Sequence, residues 1–187
     1  MRGYAQGFKR LLDLTIALIG LVGFLVPMAW IAWRIHRELG PPAFFRQTRL
    51  GYGGKPFIVL KFRTMRPGEE GVSSPFCRGL RATAMDELPQ LINILRGEMS
   101  FVGPRPLIPE ELVELRSFPR GAERLRVRPG LTGLAQLRSD KVPSLSERLR
   151  GDLEYIDRCS LGLDLWALWR SVAVTLRAAW EKPGSKI

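Results

Sequence analysis

Histidine and cysteine are nearly absent from this chain of 187 residues, and their scarcity removes whole classes of chemistry. With one histidine, His36, no Ser-His-Asp or Cys-His mechanism is available unless His36 itself takes part, which leaves carboxylates as the natural catalytic groups. The two cysteines, Cys77 and Cys159, stand far apart without C-x-x-C spacing. That argues against a zinc site or a disulfide framework and fits a reducing cytoplasm. Neither an internal repeat nor a low-complexity tract is present. Acidic residues are outnumbered, 18 Asp+Glu against 29 Lys+Arg for a net charge of +11, so the expected partners are anionic: nucleic acid, an acidic membrane surface or phosphorylated small molecules. The length suits one domain with a real core and a short additional segment.

Formal charge is missing altogether from Leu14 to Trp33, a stretch long enough as a helix to cross the ~30 Å hydrocarbon layer. It is too long for the apolar part of a cleaved signal peptide, and no small-residue cleavage site precedes a polar start. Pro27 interrupts it, removing a backbone hydrogen bond and colliding with the carbonyl of Gly23, and Gly20 and Gly23 weaken the same stretch, so a bend is expected there. Lys9 and Arg10 precede the segment while Arg34, His36 and Arg37 follow it. Positive charge at both ends, with a central proline, favours a re-entrant helical hairpin with both ends cytoplasmic over a kinked single span. Asp13 at its edge is placed to pair with Lys9 or Arg10 one turn away, or to stand solvated. The five tryptophans fall in two places: Trp30 and Trp33 close the apolar run, and Trp166, Trp169 and Trp180 lie near the C-terminus. From Leu163 to Lys182, Leu165, Trp166, Trp169, Val172, Leu176 and Trp180 lie near one helical face, which reads as an interfacial amphipathic helix or as a helix covering the core.

Between these ends the pattern is that of a soluble domain. Phe44 and Phe45, the turn Gly51-Tyr52-Gly53-Gly54 and the run Phe57 to Arg63 predict a β-hairpin. Arg66 to Gly79 reads as a loop, and a helix then begins at Asp86 and ends at Gly97, with Leu88, Leu91, Ile92 and Leu95 at helical spacing. Asp86 as N-cap and Pro89 in the first turn put two adjacent carboxylates, Asp86 and Glu87, where a helix begins. Such a pair can hold a metal and attack phosphorus; its structural alternative is capping and dipole complementation. Ser100 to Val102 reads as a short strand leading to Gly103-Pro104-Arg105-Pro106, where two prolines pin Arg105 in a way that suits phosphate. A helix from Pro109 to Ser117, a basic stretch from Arg120 to Arg128, a rigid turn at Pro129 to Gly133 and a helix from Glu147 to Arg158 with Leu149, Leu153 and Ile156 inward complete the reading.

Five motifs in order carry a resemblance: Lys9-Arg10 with Asp13 before a proline-broken apolar helix, Lys61-Phe62-Arg63-Thr64-Met65, Asp86-Glu87-Leu88-Pro89-Gln90-Leu91, Ser100-Phe101-Val102-Gly103-Pro104-Arg105-Pro106, and Arg128-Pro129-Gly130-Leu131-Thr132-Gly133 with Ala135-Gln136. On these, almost end to end, the sequence resembles the monotopic phosphoglycosyl transferases, the bacterial sugar transferases that start glycan assembly on a polyprenyl phosphate. The resemblance implies that Asp86 attacks the β-phosphate of a nucleoside diphosphate sugar, UDP-sugar by family habit. Nucleoside monophosphate is expelled, and polyprenyl phosphate then takes the phosphosugar from the enzyme. It also implies that Glu87 completes the dyad and that Mg²⁺, held by Asp86 and Glu87, bridges carboxylate and diphosphate. Lys61, Arg63, Arg81, Arg105 and Arg128 are carried as phosphate or headgroup contacts, each with solvated surface charge as its alternative; Gln90 and Gln136 are further contact candidates.

The chain departs from the family pattern in places. Val26 stands before Pro27 where relatives often have Ser, Thr83-Ala84-Met85 replaces Thr-Ser-Leu before the dyad, and Leu137-Arg138-Ser139 follows Gln136 in place of a Val-x-Gly-Arg run. The loop before the dyad is short, and the sequence reads as the minimal single-domain form. The expectation is therefore a compact α/β domain, mostly helical with a small β-hairpin or sheet. Residues 1–40 would form a re-entrant membrane helix-break-helix and residues 41–187 a cytosolic catalytic domain ending in an interfacial helix, on the cytoplasmic face of a bacterial inner membrane. Its partners would be a nucleoside diphosphate sugar, polyprenyl phosphate, membrane lipids and downstream glycosyltransferases, with no nucleic acid. The rival reading of the charge is a membrane-tethered module that binds anionic lipid or nucleic acid without catalysis.

Overall fold

The computed structural model describes residues 7–66, 68, 71, 74–138 and 144–180. They form a mostly helical, compact body with two small sheets. The apolar run is two helices, α1 (Lys9–Gly23) and α2 (Leu25–Leu39), bent by 61° at Phe24. Pro27 lies in the first turn of α2, where its missing N–H and its ring leave no place for the carbonyl of Gly23 in the ladder. The ladder resumes one residue on, with Met28 N donating to Phe24 O at 2.8 Å. Among the described residues no single helix is long and apolar enough to cross a membrane.

The charges that open α1 are used mainly in tertiary contacts. Lys9 Nζ pairs with Asp164 at 2.6 Å, and Arg10 donates to the carbonyls of Ile94 and Leu95. Asp13, expected to pair with Lys9 or Arg10 or to stand solvated, is buried; it accepts from the backbone N–H of Phe101 at 3.1 Å, and its charge acts on Arg10. A buried carboxylate gains more from a fixed backbone donor than from a flexible lysine one turn away.

The hairpin forms as the alternation predicts: β1 (Phe44–Leu50) and β2 (Pro56–Phe62) are antiparallel, with Gly53 and Gly54 at φ 68° and 75° in the turn. Their register places Phe45 opposite Lys61, Gln47 opposite Val59 and Arg49 opposite Phe57, all on one face. The loop expected from Arg66 to Gly79 lies partly outside the described residues. Its last five residues open α3 (Pro75–Ala82), because Ser74 accepts from Cys77 N and Pro75 suits a first helical position. A 3₁₀ turn at Met85–Glu87 leads into α4 (Gln90–Arg96), which ends at Gly97 with φ 83°.

Strand β3 (Ser100–Val102) pairs in parallel with β4 (Gly130–Thr132), where the sequence predicts only a rigid turn. No apolar alternation marks β4; what makes it a strand is the close approach that Gly103 and Gly130 permit. A Cβ on Gly130 would stand 2.1 Å from Gly103 N, and one on Gly103 would stand 2.5 Å from the carbonyl of Arg128. A 3₁₀ turn at Pro109–Glu111 and α5 (Leu112–Ser117) occupy the predicted helix, and the basic stretch winds into 3₁₀ structure at Gly121–Arg126. The remaining helices are α6 (Leu134–Arg138), which the sequence does not announce, α7 (Leu145–Arg158) and α8 (Leu161–Leu176). Helix α7 starts two residues before the prediction, capped by Ser144 with Glu147 reaching back. Helix α8 stops at Leu176, short of the predicted Lys182, which lies outside the described residues.

The core joins the bent pair to the rest. Ala17 of α1 packs with Phe57, Val59, Leu91, Ile94 and Met99, while Met28, Ile31 and Ile35 of α2 pack with Phe62 and Leu80. Strand β2 and helix α4 are thereby held between the bent helices and the β3–β4 ribbon, and the dyad is carried on the turn that enters α4.

Candidate active site

Asp86 and Glu87 sit on the 3₁₀ turn Met85–Glu87, entered through Ala84 in the left-handed region at φ 55°. The expectation that Asp86 caps α4 is corrected here. Leu88 and Pro89 already have helical dihedrals, Pro89 occupies the cap position, and no side chain caps the helix. The carboxylate of Asp86 therefore caps no helix, and the backbone amide it engages is its own. It is 9 % exposed, and its pKa is raised from the ordinary 3.8 to about 6, first by burial and then by the charge of Glu87, against the pull of Lys61 and Arg81.

Glu87 is treated differently by its surroundings. Lys61 Nζ lies 2.5 Å from Glu87 Oε1, Arg105 Nη1 lies 4.0 Å from the same atom, and Gln90 hydrogen-bonds to the carboxylate. Burial pushes the Glu87 pKa up, but the two cations and these hydrogen bonds outweigh it, and the pKa falls below the ordinary value. The environment thus divides one acidic pair into an ion-paired carboxylate and a poorly compensated one.

The placement of the cations follows from the elements. Lys61 projects from the end of β2, and Asn93 of α4 fixes that strand: its Nδ2 donates to Ile58 O at 2.7 Å and its Oδ1 accepts from Leu60 N at 3.1 Å. Arg105 is exposed at its tip, on a loop whose carbonyls are gripped from both sides. Buried Arg124 donates to Arg105 O at 2.8 Å, and Arg49 donates to Pro106 O at 3.1 Å. Arg49, Lys61, Glu87, Gln90 and Arg105 line one open cleft with Val59, Pro106, Gly130 and Leu131.

Lys61, Gln90 and Arg105 are thus gathered on Glu87, and Arg81 acts on Asp86. Two sequence candidates, Arg63 and Arg128, are engaged elsewhere. Arg63 donates to the carbonyls of Leu39 and Gly40, fastening the end of α2. Arg128 donates to Gly97 O at 2.9 Å and lies over the Tyr52 ring at 5.7 Å. Gln136 lies on α6 with its Oε1 buried. Arg49, Arg124 and Asn93 are absent from the sequence reading. For Arg49 a signal exists: period two across the hairpin puts it on the face of Lys61. Arg124 and Asn93 carry no such mark, because the contacts that matter here, Arg124 with Asp152 and the Arg105 carbonyl and Asn93 with the backbone of Ile58 and Leu60, join residues distant in sequence.

The pair suits a hard divalent cation. Mg²⁺ takes one or two carboxylates and completes its shell with water and substrate phosphate. Asp86 offers an under-compensated carboxylate beside Glu87, while among the described residues no group of three or more acidic, His or Cys side chains gathers into an all-protein cage.

A sequence profile for bacterial sugar transferases matches residues 4–178. The chain is 40 % identical to a protein of Caulobacter vibrioides named UDP-glucose:undecaprenyl-phosphate glucose-1-phosphate transferase, with 90 % of this chain and 67 % of the relative covered. It is 36 % identical to the uncharacterized sugar transferase EpsL of Bacillus subtilis, covering 90 % of this chain and 87 % of the relative. A Klebsiella pneumoniae protein with the same name as the Caulobacter one is 34 % identical over 92 % of this chain, which spans 41 % of that relative's length.

Proposed function

Since the chain belongs to the bacterial sugar transferase family, we propose that it transfers a phosphosugar from a UDP-sugar to a polyprenyl phosphate through a covalent adduct on Asp86. The observation that carries this reading is the unequal dyad: Glu87 is neutralised by Lys61, while Asp86 keeps a buried, weakly compensated carboxylate beside it.

An Oδ atom of Asp86 attacks the β-phosphorus, the bond from that phosphorus to the bridging oxygen breaks, and nucleoside monophosphate leaves with the electron pair. A phosphate oxygen of the polyprenyl phosphate then attacks the same phosphorus, and the Asp86 carboxylate departs. Neither leaving group needs a proton, which fits a site without histidine. Lys61 holds Glu87 in place, and Lys61, Arg81 and Arg105 present positive charge to the oxygens where negative charge builds. Mg²⁺ on Asp86 and Glu87 would supply further charge neutralisation for the diphosphate.

The exposed apolar surface supports a membrane placement. Leu18, Ile19, Val22, Leu25 and Val26 around the bend are exposed, as are Trp30 and Trp33 on α2 and Leu165, Trp166, Trp169 and Leu176 on α8. Each arm of the bent pair is 15 residues, or ~22 Å at 1.5 Å per residue, so with a 61° bend the apex reaches ~11 Å below its ends. That depth stays within one leaflet of a ~30 Å hydrocarbon layer. We read α1–α2 as a shallow re-entrant V, with α8 at the interface and the dyad on the cytoplasmic side.

Mixing the protein with UDP-sugar in the absence of lipid acceptor tests the mechanism by intact mass. A mass gain of one phosphosugar with release of UMP, both lost in Asp86→Asn, is the expected result. Turnover to lipid product with no adduct at any time would show direct transfer.

A further inference from the structure

The loop that carries Arg105 has few amides with which to hold itself. Pro104 and Pro106 have no N–H, so what this loop offers its surroundings is a row of carbonyls. Four in succession are taken by donors from elsewhere in the chain. Gly130 N donates to Pro104 O at 2.9 Å, Arg124 to Arg105 O at 2.8 Å, Arg49 to Pro106 O at 3.1 Å and Leu50 N to Leu107 O at 2.8 Å. Gly130 and Leu50 are backbone donors in β4 and β1, whose places the sheets fix. Arg124 is a different case, because a long side chain loses its freedom only where something else holds it.

Asp152 of α7 supplies that hold. Arg124 Nη2 donates both to Asp152 Oδ2 at 2.5 Å and to the Arg105 carbonyl, so one atom joins helix and loop. Arg124 and Asp152 are buried, at 5 % and 2 % exposure. One turn earlier on α7, Arg148 donates to Glu111 Oε1 at 2.5 Å, and the other oxygen of Glu111 accepts from Ile108 N at 3.1 Å. Helix α7 thus grips the loop on either side of Pro106 and Leu107, through two residues four apart on one helical face.

Stability alone gives no reason for the Arg124–Asp152 pair. Burial pushes the Asp152 pKa up and the Arg124 pKa down, each toward its uncharged form, and apolar side chains of similar size often replace such a pair without loss. What apolar side chains cannot supply is a donor to the Arg105 carbonyl. We propose that Asp152 is a positioning residue for the reaction: by fixing Arg124 it fixes the backbone of Arg105, and with it the place of that guanidinium beside Glu87. This rests on the transferase reading and extends it to a residue behind the site, on α7. Arg105 Nη1 stands 4.0 Å from Glu87 Oε1, and a displacement of about 1 Å at a reacting centre can cost a hundredfold in rate.

Arg124→Met combined with Asp152→Leu removes both charges together. With the UDP-sugar that the unaltered protein accepts, adduct formation at saturation should slow tenfold or more, KM should change less than threefold, and the melting temperature should stay near that of the parent. In an Arg105→Gln background the same two substitutions should slow the step less than twofold, since a residue acting through Arg105 then has nothing to act on. Should the double variant fail to fold, Arg124→Lys takes its place. Its ammonium ends where arginine has Cζ, one bond short of the bridging atom, and slowing of at least fivefold is expected, again lost in the Arg105→Gln background. Asp152→Asn still accepts from Arg124 and should keep a third or more of the parent rate although it melts lower. Equal slowing with and without the Arg105 side chain, no slowing in the double variant or in Arg124→Lys where that replaces it, or Asp152→Asn as slow as either would overturn the positioning role. An unaltered protein that forms no adduct and releases no UMP with any UDP-sugar would instead overturn the transferase reading.

Discussion

At the residue scale, Asp86 shows the stability that a buried, weakly compensated carboxylate costs its fold. Its folded-state pKa is raised above the ordinary value, so the fold favours the protonated form. That contribution is fully present below about 3.8, the ordinary value, and is lost as pH rises through about 6. Above that, the ionised carboxylate destabilises. One pK unit corresponds to about 1.4 kcal/mol, which puts the upper limit near ~3 kcal/mol. Asp86→Asn cannot ionise and is expected to melt higher than the parent at pH 8 in the presence of a chelator, by up to that amount, with the gap closing toward pH 4. Thermal melts of both proteins across this range check it; a less stable Asn variant at pH 8 would contradict the account. Under the proposed mechanism the same substitution is expected to abolish adduct formation, so stability and activity would move in opposite directions at one atom.

At the element scale, the site depends on β2 and α4 keeping register, and Asn93 fixes it. Its side chain, fully buried, bonds Ile58 O, Leu60 N and Glu98 Oε2, so it reads the strand on either side of Val59, just before Lys61. Asn93→Leu keeps the branching of the side chain but strands a carbonyl and an N–H in the interior. The expected loss is about 2–4 kcal/mol, measured by chemical denaturation, with Lys61 displaced and turnover reduced beyond what the stability change explains. Nothing in the local sequence marks Asn93, and this sets the limit of sequence reading here. The hairpin was legible because alternation and glycines are local signals. So were the break before Pro27, the short strand at Ser100 and the acidic pair on a helical turn. Strand β4 was not, since its pairing depends on two glycines meeting 27 residues apart, and the cap role given to Asp86 failed because Pro89 took that position. Lys61, Gln90 and Arg105 could be named as candidates from their motifs, but their convergence on Glu87 needed the tertiary structure, as did the commitment of Arg63 to the end of α2.

At the scale of the whole molecule, the two apolar surfaces meet at one buried ion pair. Lys9 opens α1 and Asp164 lies in the first turn of α8; they join at 2.6 Å with Asp164 only 1 % exposed, and Tyr155 of α7 donates to the other carboxylate oxygen at 2.8 Å. Burial and then the charge of Asp164 push the Tyr155 pKa far up, so its hydroxyl remains a donor at every working pH. The pair ties the start of the bent helices to the helix carrying Trp166 and Trp169, so their apolar faces are presented together. Removing one partner leaves a buried charge uncompensated, and Asp164→Ala is expected to cost about 3–5 kcal/mol. Replacing both, as Lys9→Met with Asp164→Leu, removes the two desolvation penalties and should restore most of that stability. If the pair also sets the relative pose of the two faces, the double variant should form the Asp86 adduct in detergent at the parent rate. It should bind anionic vesicles more weakly and discharge the adduct to membrane-embedded polyprenyl phosphate severalfold more slowly. A double variant that is restored in stability and equally fast in the lipid step would confine the pair to holding the fold together.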